Sequence, residues 1–277
     1  MTLYHFSGAG NNFVVLDGRD ADMSAYRDPE RIVALCNQYH TDGLMILSGE
    51  PLCPEVGADF SMEFYNPDGS GGMMCGNGGR CIAAFADYLG IQPSDGNTYH
   101  FLAPDGPHTA ELLAKSAEGW TIRLGMKDVS GVTPVLGGYF LDTGTRHYVR
   151  FVDDVEAINI ATEGPRYRLD PAFAPVGANA NFVQRLPGGG IKVRTFEKGV
   201  EGETLACGTG ITASAIAAWY DAQQISPLAA LGRNDKVHTP VRARQDDLCV
   251  DFLPTGPATF TSVYLTGPAV LLAQYEE

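Results

Sequence analysis

Residues 64–81 of the chain read FYNPDGSGGMMCGNGGRC, a glycine-rich run that holds two cysteines. The residues before it, DFSMEFY, alternate polar and apolar side chains as a strand does, and Pro-Asp-Gly is a turn sequence. The residues after it, GGRCIAAFADYLG, have the pattern of a helix that ends at Gly90. We therefore predict a strand, a glycine turn and a helix, with Cys75 at the mouth of the helix.

The same arrangement occurs a second time. Residues 202–224, GETLACGTGITASAIAAWYDAQQ, again place Cys-Gly-x-Gly before an apolar helical pattern, now beginning at Cys207. Such an internal repeat predicts two similar α/β halves. We expect residues 1–117 plus 262–277 to form the half that carries Cys75, with the last strand returning to the first half. Residues 118–261 form the half that carries Cys207.

Other segments give a coarse secondary structure. Asp28-Pro29 is a helix start, with Asp as N-cap and Pro at the first helical position. FVVL, GLMILSG, GWTIRLGM, LCVDFL and SVYLTGP have the pattern of strands. GYFLDTGTRHYVRFVDD predicts a strand pair, and GANANFVQRL with IKVRTFEKG predicts a hairpin across Pro187–Gly190.

Composition limits the function classes. The chain has 277 residues, a formal net charge of −14 and a sequence pI near 4.7, which disfavours binding to nucleic acid or to an anionic membrane. The N-terminus lacks a signal-peptide pattern, and no apolar run is long enough to span a membrane, so we expect a cytoplasmic protein. The six cysteines show neither a disulfide framework nor Cys-x-x-Cys spacing, so no metal site is expected.

A cysteine at a helix N-terminus has a chemical use. The unpaired N–H groups and the helix dipole lower the pKa of such a thiol, and the same N–H groups can bind a carboxylate. Two such motifs together offer one thiolate to remove a proton from a carbon and one thiol to return a proton to its other face. This is a two-base mechanism that inverts a stereocentre.

Two simpler interpretations compete with this one. A single cysteine near a helix start is usually a small buried apolar residue, and only the duplication of the whole unit favours chemistry. Cys36, Cys53, Cys81 and Cys249 lack that context and are interpreted as structural. Glycine loops can also bind nucleotide phosphates, but the chain has neither a P-loop lysine nor a GxGxxG after its first strand.

Taken together, GAGNNFVVLDG, YNPDGSGGMMCGNGGRC and FEKGVEGETLACGTG resemble the diaminopimelate epimerase family, and VYLTGPA fits its closing strand. The resemblance spans nearly the whole chain. It implies an α/β (α+β) fold of two pseudo-symmetric domains, each a mostly antiparallel sheet wrapped around a central helix. It also implies conversion of L,L-diaminopimelate to the meso form, in lysine and peptidoglycan precursor biosynthesis, without cofactor or metal.

The resemblance assigns roles by position. Cys75 and Cys207 match the catalytic cysteines, and His147 and Glu197 match residues that influence the thiol pKa values. The implied partner is a small amino-acid substrate, and the family suggests a homodimer. The residues that match substrate-binding positions are Asn11, Asn66, Gly76, Asn77, Asn179, Glu197, Lys198, Gly208 and Thr209.

The chain departs from the family at four places. Lys198 stands where the family usually has Arg, and Thr145-Arg146 replaces Asn or Ser followed by Pro, so Arg146 could supply the missing cationic fork. The loop before Asp42-Gly43 is short, and GVEGET carries one extra residue. Three of the four fall at the distal end of the substrate. Alternatives are therefore a related racemase with altered distal specificity, a carboxylate-using isomerase of the same superfold, or a non-catalytic binding protein on this scaffold.

Overall fold

The structure, a computed structural model, describes residues 1–49, 57–72, 75–225 and 235–277. Contacts within the fold divide the chain into two units, Met1–Leu124 with Gly267–Glu277, and Gly125–Thr266. From the sequence we expect divisions at 117/118 and 261/262. Ser116 to Gly119 is instead the turn between two paired strands, which carries the first unit on to Leu124.

The described residues contain four α-helices, seventeen strands and two short 3-10 helices, Ser24–Tyr26 and Pro171–Phe173. The helices are α1 (Pro29–Tyr39), α2 (Gly76–Tyr88), α3 (Ile160–Arg168) and α4 (Gly208–Ile225). The strands are β1 (Thr2–Gly8), β2 (Asn11–Asp17), β3 (Leu44–Ser48), β4 (Phe60–Tyr65), β5 (Thr98–Ala103), β6 (Gly106–Ser116), β7 (Gly119–Gly125), β8 (Val129–Ser130), β9 (Thr133–Val135), β10 (Gly138–Asp142), β11 (Arg146–Phe151), β12 (Asn179–Arg185), β13 (Ile191–Glu197), β14 (Gly202–Thr204), β15 (Val237–Arg242), β16 (Asp247–Gly256) and β17 (Thr259–Glu276).

In the first unit, β1–β2, β3–β4 and β5–β6–β7 pair antiparallel, and β2–β3 and β4–β5 pair parallel. The end of β17 pairs antiparallel with β1, and β17 also pairs with β7, so the strands close around α2. Residues 76–86 of α2 are all buried, as expected for a helix enclosed by a sheet. The last strand therefore pairs within the first unit.

The second unit repeats this order. β10–β11 and β12–β13 are antiparallel hairpins joined in parallel across β11–β12, and β13 pairs parallel with β15. β15, β16 and the start of β17 follow as an antiparallel meander. Residues 210–218 of α4 are buried. The predicted fold class is confirmed, and so is the hairpin predicted from GANANFVQRL and IKVRTFEKG.

Strands β2 and β3 are covered on both faces, which explains their continuous apolar runs. Val14, Leu16 and Ile46 pack in a cluster with α1, while the Phe13 ring lies 6.0 Å from that of Phe64 on the α2 side. A strand buried on both faces reads as uninterrupted apolar sequence. The Asp28 side chain caps α1 by accepting a hydrogen bond from the Glu30 N–H, as predicted. None of the helices in the described ranges is long and apolar enough to cross a membrane.

Candidate active site

Cys75 caps the buried helix of the first unit. Its backbone is extended (φ −101°, ψ 149°), and its Sγ accepts a hydrogen bond from the Gly78 N–H at 3.2 Å. A Cβ at Gly78 would lie 3.3 Å from this sulfur and 3.2 Å from Met45 Sδ, so glycine keeps the N–H within reach of the sulfur. An N–H that points at sulfur stabilises negative charge on it. The side chain is half-buried.

Asn77 and Asn11, two predicted substrate-binding residues, contact each other. Asn77 Nδ2 donates to Asn11 Oδ1 at 2.5 Å, and the buried Arg80 guanidinium donates to Asn77 Oδ1 at 2.9 Å. Arg80 also donates to the carbonyls of Gly76 and Pro268. These contacts fix the orientation of the Asn77 amide. Because Asn11 Oδ1 accepts from Asn77, Asn11 presents its Nδ2 group as a hydrogen-bond donor. Arg80 is a supporting residue that the sequence analysis did not name.

Asn66 follows β4 in the turn that leads towards α2. Its N–H donates to the Ser70 carbonyl at 2.9 Å, its Nδ2 donates to Ser70 Oγ at 3.0 Å, and its carbonyl accepts from the Gly69 N–H. The side chain is half-buried. Asn66 therefore stabilises the turn, and the turn in return fixes the direction of the Asn66 side-chain amide.

Cys207 precedes the buried helix of the second unit. Its side chain is 6% exposed, and its Sγ lies 3.5 Å from Thr209 Oγ1. A Cβ at Gly210 would lie 2.4 Å from Asn181 Oδ1 and 3.3 Å from Cys207 Sγ, so only glycine fits there. The two catalytic candidates thus occupy corresponding positions in the repeated topology of their units.

The pKa of Cys207 differs from the expectation for a cysteine at a helix start. Burial raises the pKa of its thiol, and the charge of Glu197 and a hydrogen bond to that carboxylate raise it further. Hydrogen bonds from Thr209 and from the Gly210 N–H lower the pKa but do not offset the burial. The expected lowering is therefore wrong for Cys207, because a buried thiolate loses more hydration than these two donors restore. Cys207 is a thiol at neutral pH.

His147 is fully buried beside Thr209. Asn181 Nδ2 lies 3.2 Å from His147 Nδ1, and Asn181 is itself oriented by Thr195, which donates to its Oδ1 at 2.9 Å. The amide therefore donates to Nδ1, which places the imidazole proton on Nε2. Nε2 lies 3.0 Å from Thr209 Oγ1 and 2.9 Å from Thr145 Oγ1. The geometry gives a chain of hydrogen bonds from Asn181 through His147 and Thr209 to the Cys207 sulfur.

Burial lowers the pKa of His147 from 6.5 to about 3, against weaker opposite effects of Asp142 and Asn181. The imidazole is therefore neutral at physiological pH. A neutral imidazole influences Cys207 through the Thr209 hydroxyl and not through a positive charge.

The stability of the protein should depend on this histidine in acid. Between pH 6.5 and about 3 the unfolded chain binds a proton at His147 that the folded chain rejects. The contribution of His147 to the unfolding free energy is thus fully present above pH 6.5 and is lost as the pH falls towards 3. We expect wild type to lose about 1–2 kcal/mol more unfolding free energy than His147→Gln between pH 7 and pH 5. Urea titrations at both pH values measure this.

His100→Gln is the matched control, because His100 is partly exposed in the first unit. This variant keeps His147, so it should still show the additional loss of unfolding free energy that His147→Gln lacks. Equal losses in wild type and His147→Gln would show that His147 is not held neutral by burial.

Asn179 and Glu197 lie on the sheet face that meets α4. Asn179 pairs with His147 across β11–β12, and its Oδ1 accepts from the Lys198 N–H at 2.7 Å while its Nδ2 donates to Thr145 Oγ1 at 3.3 Å. Glu197 Oε2 accepts from Thr204 Oγ1 at 2.9 Å. The side chain of Lys198 is exposed at the end of β13. The structure thus brings Cys207, Thr209, His147, Asn179 and Glu197 together in the second unit.

Arg146 points the other way. It precedes His147 on β11, and neighbouring strand residues face opposite sides of a sheet. Its guanidinium lies 5.2 Å from the centre of the Phe140 ring and donates to the Phe173 carbonyl at 3.0 Å, on the side covered by α3. The hypothesis that Arg146 replaces the family's cationic fork is therefore wrong: this guanidinium is part of the packing beneath α3.

Of the remaining cysteines, Cys36 and Cys81 are buried, and Cys249 is half-buried. Cys53 lies outside the described residues. The supporting residues that sequence reasoning missed are Arg80 and Asn181. Asn181 could have been found, because it stands two residues after Asn179 and so shares its sheet face. Arg80 was harder to find, because the only indication of its role in the sequence is that it is a single charged residue in an otherwise apolar stretch.

Comparison with known proteins agrees with the motifs. The sequence model of the diaminopimelate epimerase family matches residues 139–260. The diaminopimelate epimerase of Flavobacterium psychrophilum is 35% identical over 272 residues, covering 97% of each chain, and that of Chlorobaculum tepidum is 38% identical over 76% of this chain and 80% of its own. A PhzF-family phenazine biosynthesis protein of Bacillus anthracis has the same fold, with a TM-score of 0.73 at 11% identity over 100% and 98% of the two chains.

Proposed function

The chain belongs to the diaminopimelate epimerase family and is an isomerase, and we propose that it interconverts L,L- and meso-diaminopimelate in lysine biosynthesis. The observation that carries this proposal is the match to a diaminopimelate epimerase over 97% of both chains, in a chain that carries the Cys-Gly-x-Gly motif at Cys75 and again at Cys207. Each of those helices is buried inside a sheet and presents its cysteine at the N-terminus.

In the proposed mechanism, Cys75 and Cys207 each serve one face of the substrate α-carbon. Cys207 is the protonated partner at rest, because burial and Glu197 hold its thiol neutral. Cys75 is the first base, since its sulfur accepts the Gly78 N–H that stabilises a thiolate. Removal of the α-proton by Cys75 and delivery of the Cys207 proton to the opposite face inverts the centre. The reverse reaction begins with the sulfur roles exchanged.

Charge on Cys207 must be tolerated once its proton has left. The Thr209 hydroxyl accepts from His147 Nε2 and can donate to the sulfur, which supports a transient thiolate there. His147 and Asn181 are positioning residues in this scheme. They orient the Thr209 hydroxyl without adding a fixed charge.

We propose that the backbone N–H groups of Gly76, Asn77, Gly208 and Thr209 bind the carboxylate at the reacting centre. N–H groups at helix N-termini attract anions, and charge on this carboxylate grows as the α-proton leaves. Asn11, Asn66 and Asn179 are proposed to bind the distal amino-acid group, because amides both donate and accept. The proposed route needs no cofactor.

Lys198 is the proposed contact for the distal carboxylate. We expect Lys198→Ala to raise KM for L,L-diaminopimelate about tenfold with little change in kcat, the size of one lost charged contact of about 1.4 kcal/mol. Arg146→Ala is the matched control, because its guanidinium packs on the α3 side of the sheet. Steady-state kinetics of both variants test the assignment. An unchanged KM in Lys198→Ala would remove this role.

The direct test of the function is conversion by the pure protein. Incubated with L,L-diaminopimelate and no pyridoxal phosphate, the protein should form the meso isomer, resolved by chiral chromatography. Inactivity on diaminopimelate with racemisation of another amino acid would support the alternative of changed distal specificity. Saturable binding of the substrate without any turnover would support a non-catalytic binding protein. We further propose that the protein acts in the cytoplasm as a homodimer.

A further inference from the structure

Three metal-ligating side chains lie together on the hairpin of β15 and β16. His238 pairs directly with Asp251, and Cys249 stands two residues before Asp251 on the same strand face. One ligand atom from each of the three lies within 4.8 Å of the other two. The alternate residues of β16, such as Phe252, face α4, where Phe252 contacts Trp219. The three ligands therefore occupy the outer face of the sheet.

The spacing of the ligand atoms suits a small metal ion. Cys249 Sγ lies 3.1 Å from His238 Nδ1, and His238 Nδ1 lies 3.0 Å from Asp251 Oδ1. Ligands at about 2.0–2.3 Å from a tetrahedral zinc ion are about 3.3–3.7 Å apart. Cys249 Sγ also lies 3.4 Å from His238 Nε2, so the exposed imidazole ring must turn for one nitrogen to share an ion with the sulfur and the carboxylate. The backbone pairing already fixes the positions of the three residues.

The donor set selects the metal. Thiolate, imidazole and carboxylate together are the ligands of Zn²⁺, whereas Mg²⁺ and Ca²⁺ take oxygen ligands. Asp251 and a deprotonated Cys249 supply two negative charges to a divalent cation. Among the described residues, Lys236 opposes a cation here: its Nζ lies 3.8 Å from Asp251 Oδ1, at the end of an exposed side chain that can turn aside. His238 is exposed, so the site is open to solvent.

We propose that His238, Cys249 and Asp251 form a zinc site on the outer face of β15 and β16, with water as the fourth ligand. Ligand spacing along the sequence predicts no metal site, because these three ligands are not close together in sequence. Here strand pairing brings together residues eleven and thirteen positions apart. The ion would join the two strands and stabilise the second unit. The site lies on the opposite sheet face from α4 and is independent of the proposed catalytic function.

Binding releases a proton. The Cys249 S–H bond breaks, an S–Zn bond forms, and the proton passes to solvent without any change of oxidation state. Protons therefore compete with the metal for this sulfur.

Titration of EDTA-treated protein with Co²⁺ and then Zn²⁺ tests the proposal. We expect one ion per chain, a near-ultraviolet sulfur-to-cobalt charge-transfer band, and loss of that band when Zn²⁺ displaces Co²⁺. Cys249→Ser should abolish the band, and His238→Ala should weaken Co²⁺ binding at least ~10-fold, a typical cost of disturbing a ligand set. Circular dichroism confirms that these variants are folded.

The catalytic thiols are the competing metal ligands, so the control is the Cys75→Ser/Cys207→Ser double variant. It should keep the charge-transfer band with unchanged stoichiometry. The proposal is overturned if this variant loses the band while Cys249→Ser retains it. It is equally overturned if wild type shows no sulfur-to-cobalt band, since the cluster is then only a hydrogen-bonded group.

Discussion

Cys75→Ser and Cys207→Ser should each reduce turnover of diaminopimelate at least ~10²-fold, the effect expected when a general acid or base is lost. Serine keeps the size of the side chain but holds its proton far more tightly than a thiol. At Cys75 the variant leaves the Gly78 N–H pointing at a poor base. At Cys207 it keeps the contact to Thr209 but removes the sulfur that exchanges the proton. Steady-state kinetics from both stereoisomers measure the effect.

The control for this pair is Cys36→Ala. Cys36 is buried in the core between α1 and the sheet of the first unit, and nothing places it near a substrate. Its loss should reduce stability and leave kcat close to wild type. If either Cys75→Ser or Cys207→Ser kept near-normal activity, the two-thiol mechanism would be wrong. An inactive wild type would instead favour the binding-protein alternative.

Gly210→Ala should have the second largest effect. Helix propensity alone favours alanine over glycine by about 1 kcal/mol. The added methyl group would nevertheless lie 2.4 Å from Asn181 Oδ1 and 3.3 Å from both Cys207 Sγ and His147 Cε1. We expect a loss of about 1–3 kcal/mol in unfolding free energy from overpacking. Displacement of the thiol and imidazole should lower kcat about 10²-fold.

Gly202→Ala is the matched control, because a Cβ there meets no atom closer than 4.0 Å. It should leave kcat and stability near the wild-type values. A Gly210→Ala variant that was more stable than wild type and fully active would show that the packing around Cys207 and His147 is looser than the structure indicates.

The elements that sequence predicted well are those fixed by local chemistry. The Asp28-Pro29 start of α1, the turn before Cys75 and the two Cys-Gly-x-Gly helices each depend on a cap or on glycines close in sequence. The apolar runs predicted where the strands lie but not which strands pair with one another. The start of α2 at Gly76 falls earlier than the apolar pattern suggested, because glycines give no amphipathic signal.

The features that sequence did not predict depend on register and burial. Which face Arg146 points to is decided by its place beside His147 on β11. The raised pKa of Cys207 and the neutral state of His147 follow from full enclosure by the sheet, which overrides the helix dipole. The cluster of His238, Cys249 and Asp251 exists only through the pairing of β15 with β16. The opposite faces of Arg146 and His147 follow from strand alternation, but the burial of Cys207 and His147 and the cluster on β15 and β16 cannot be read from spacing along the chain.

The most direct test of the two-thiol mechanism is the fate of the α-hydrogen in deuterated water. The protein is incubated with unlabelled L,L-diaminopimelate, and both stereoisomers are recovered at low conversion for mass analysis. With separate proton donors on the two faces, the meso product should carry one α-deuterium while the remaining substrate stays unlabelled. A meso product that retains the original hydrogen would mean that a single base moves the same proton across both faces, and would contradict the account.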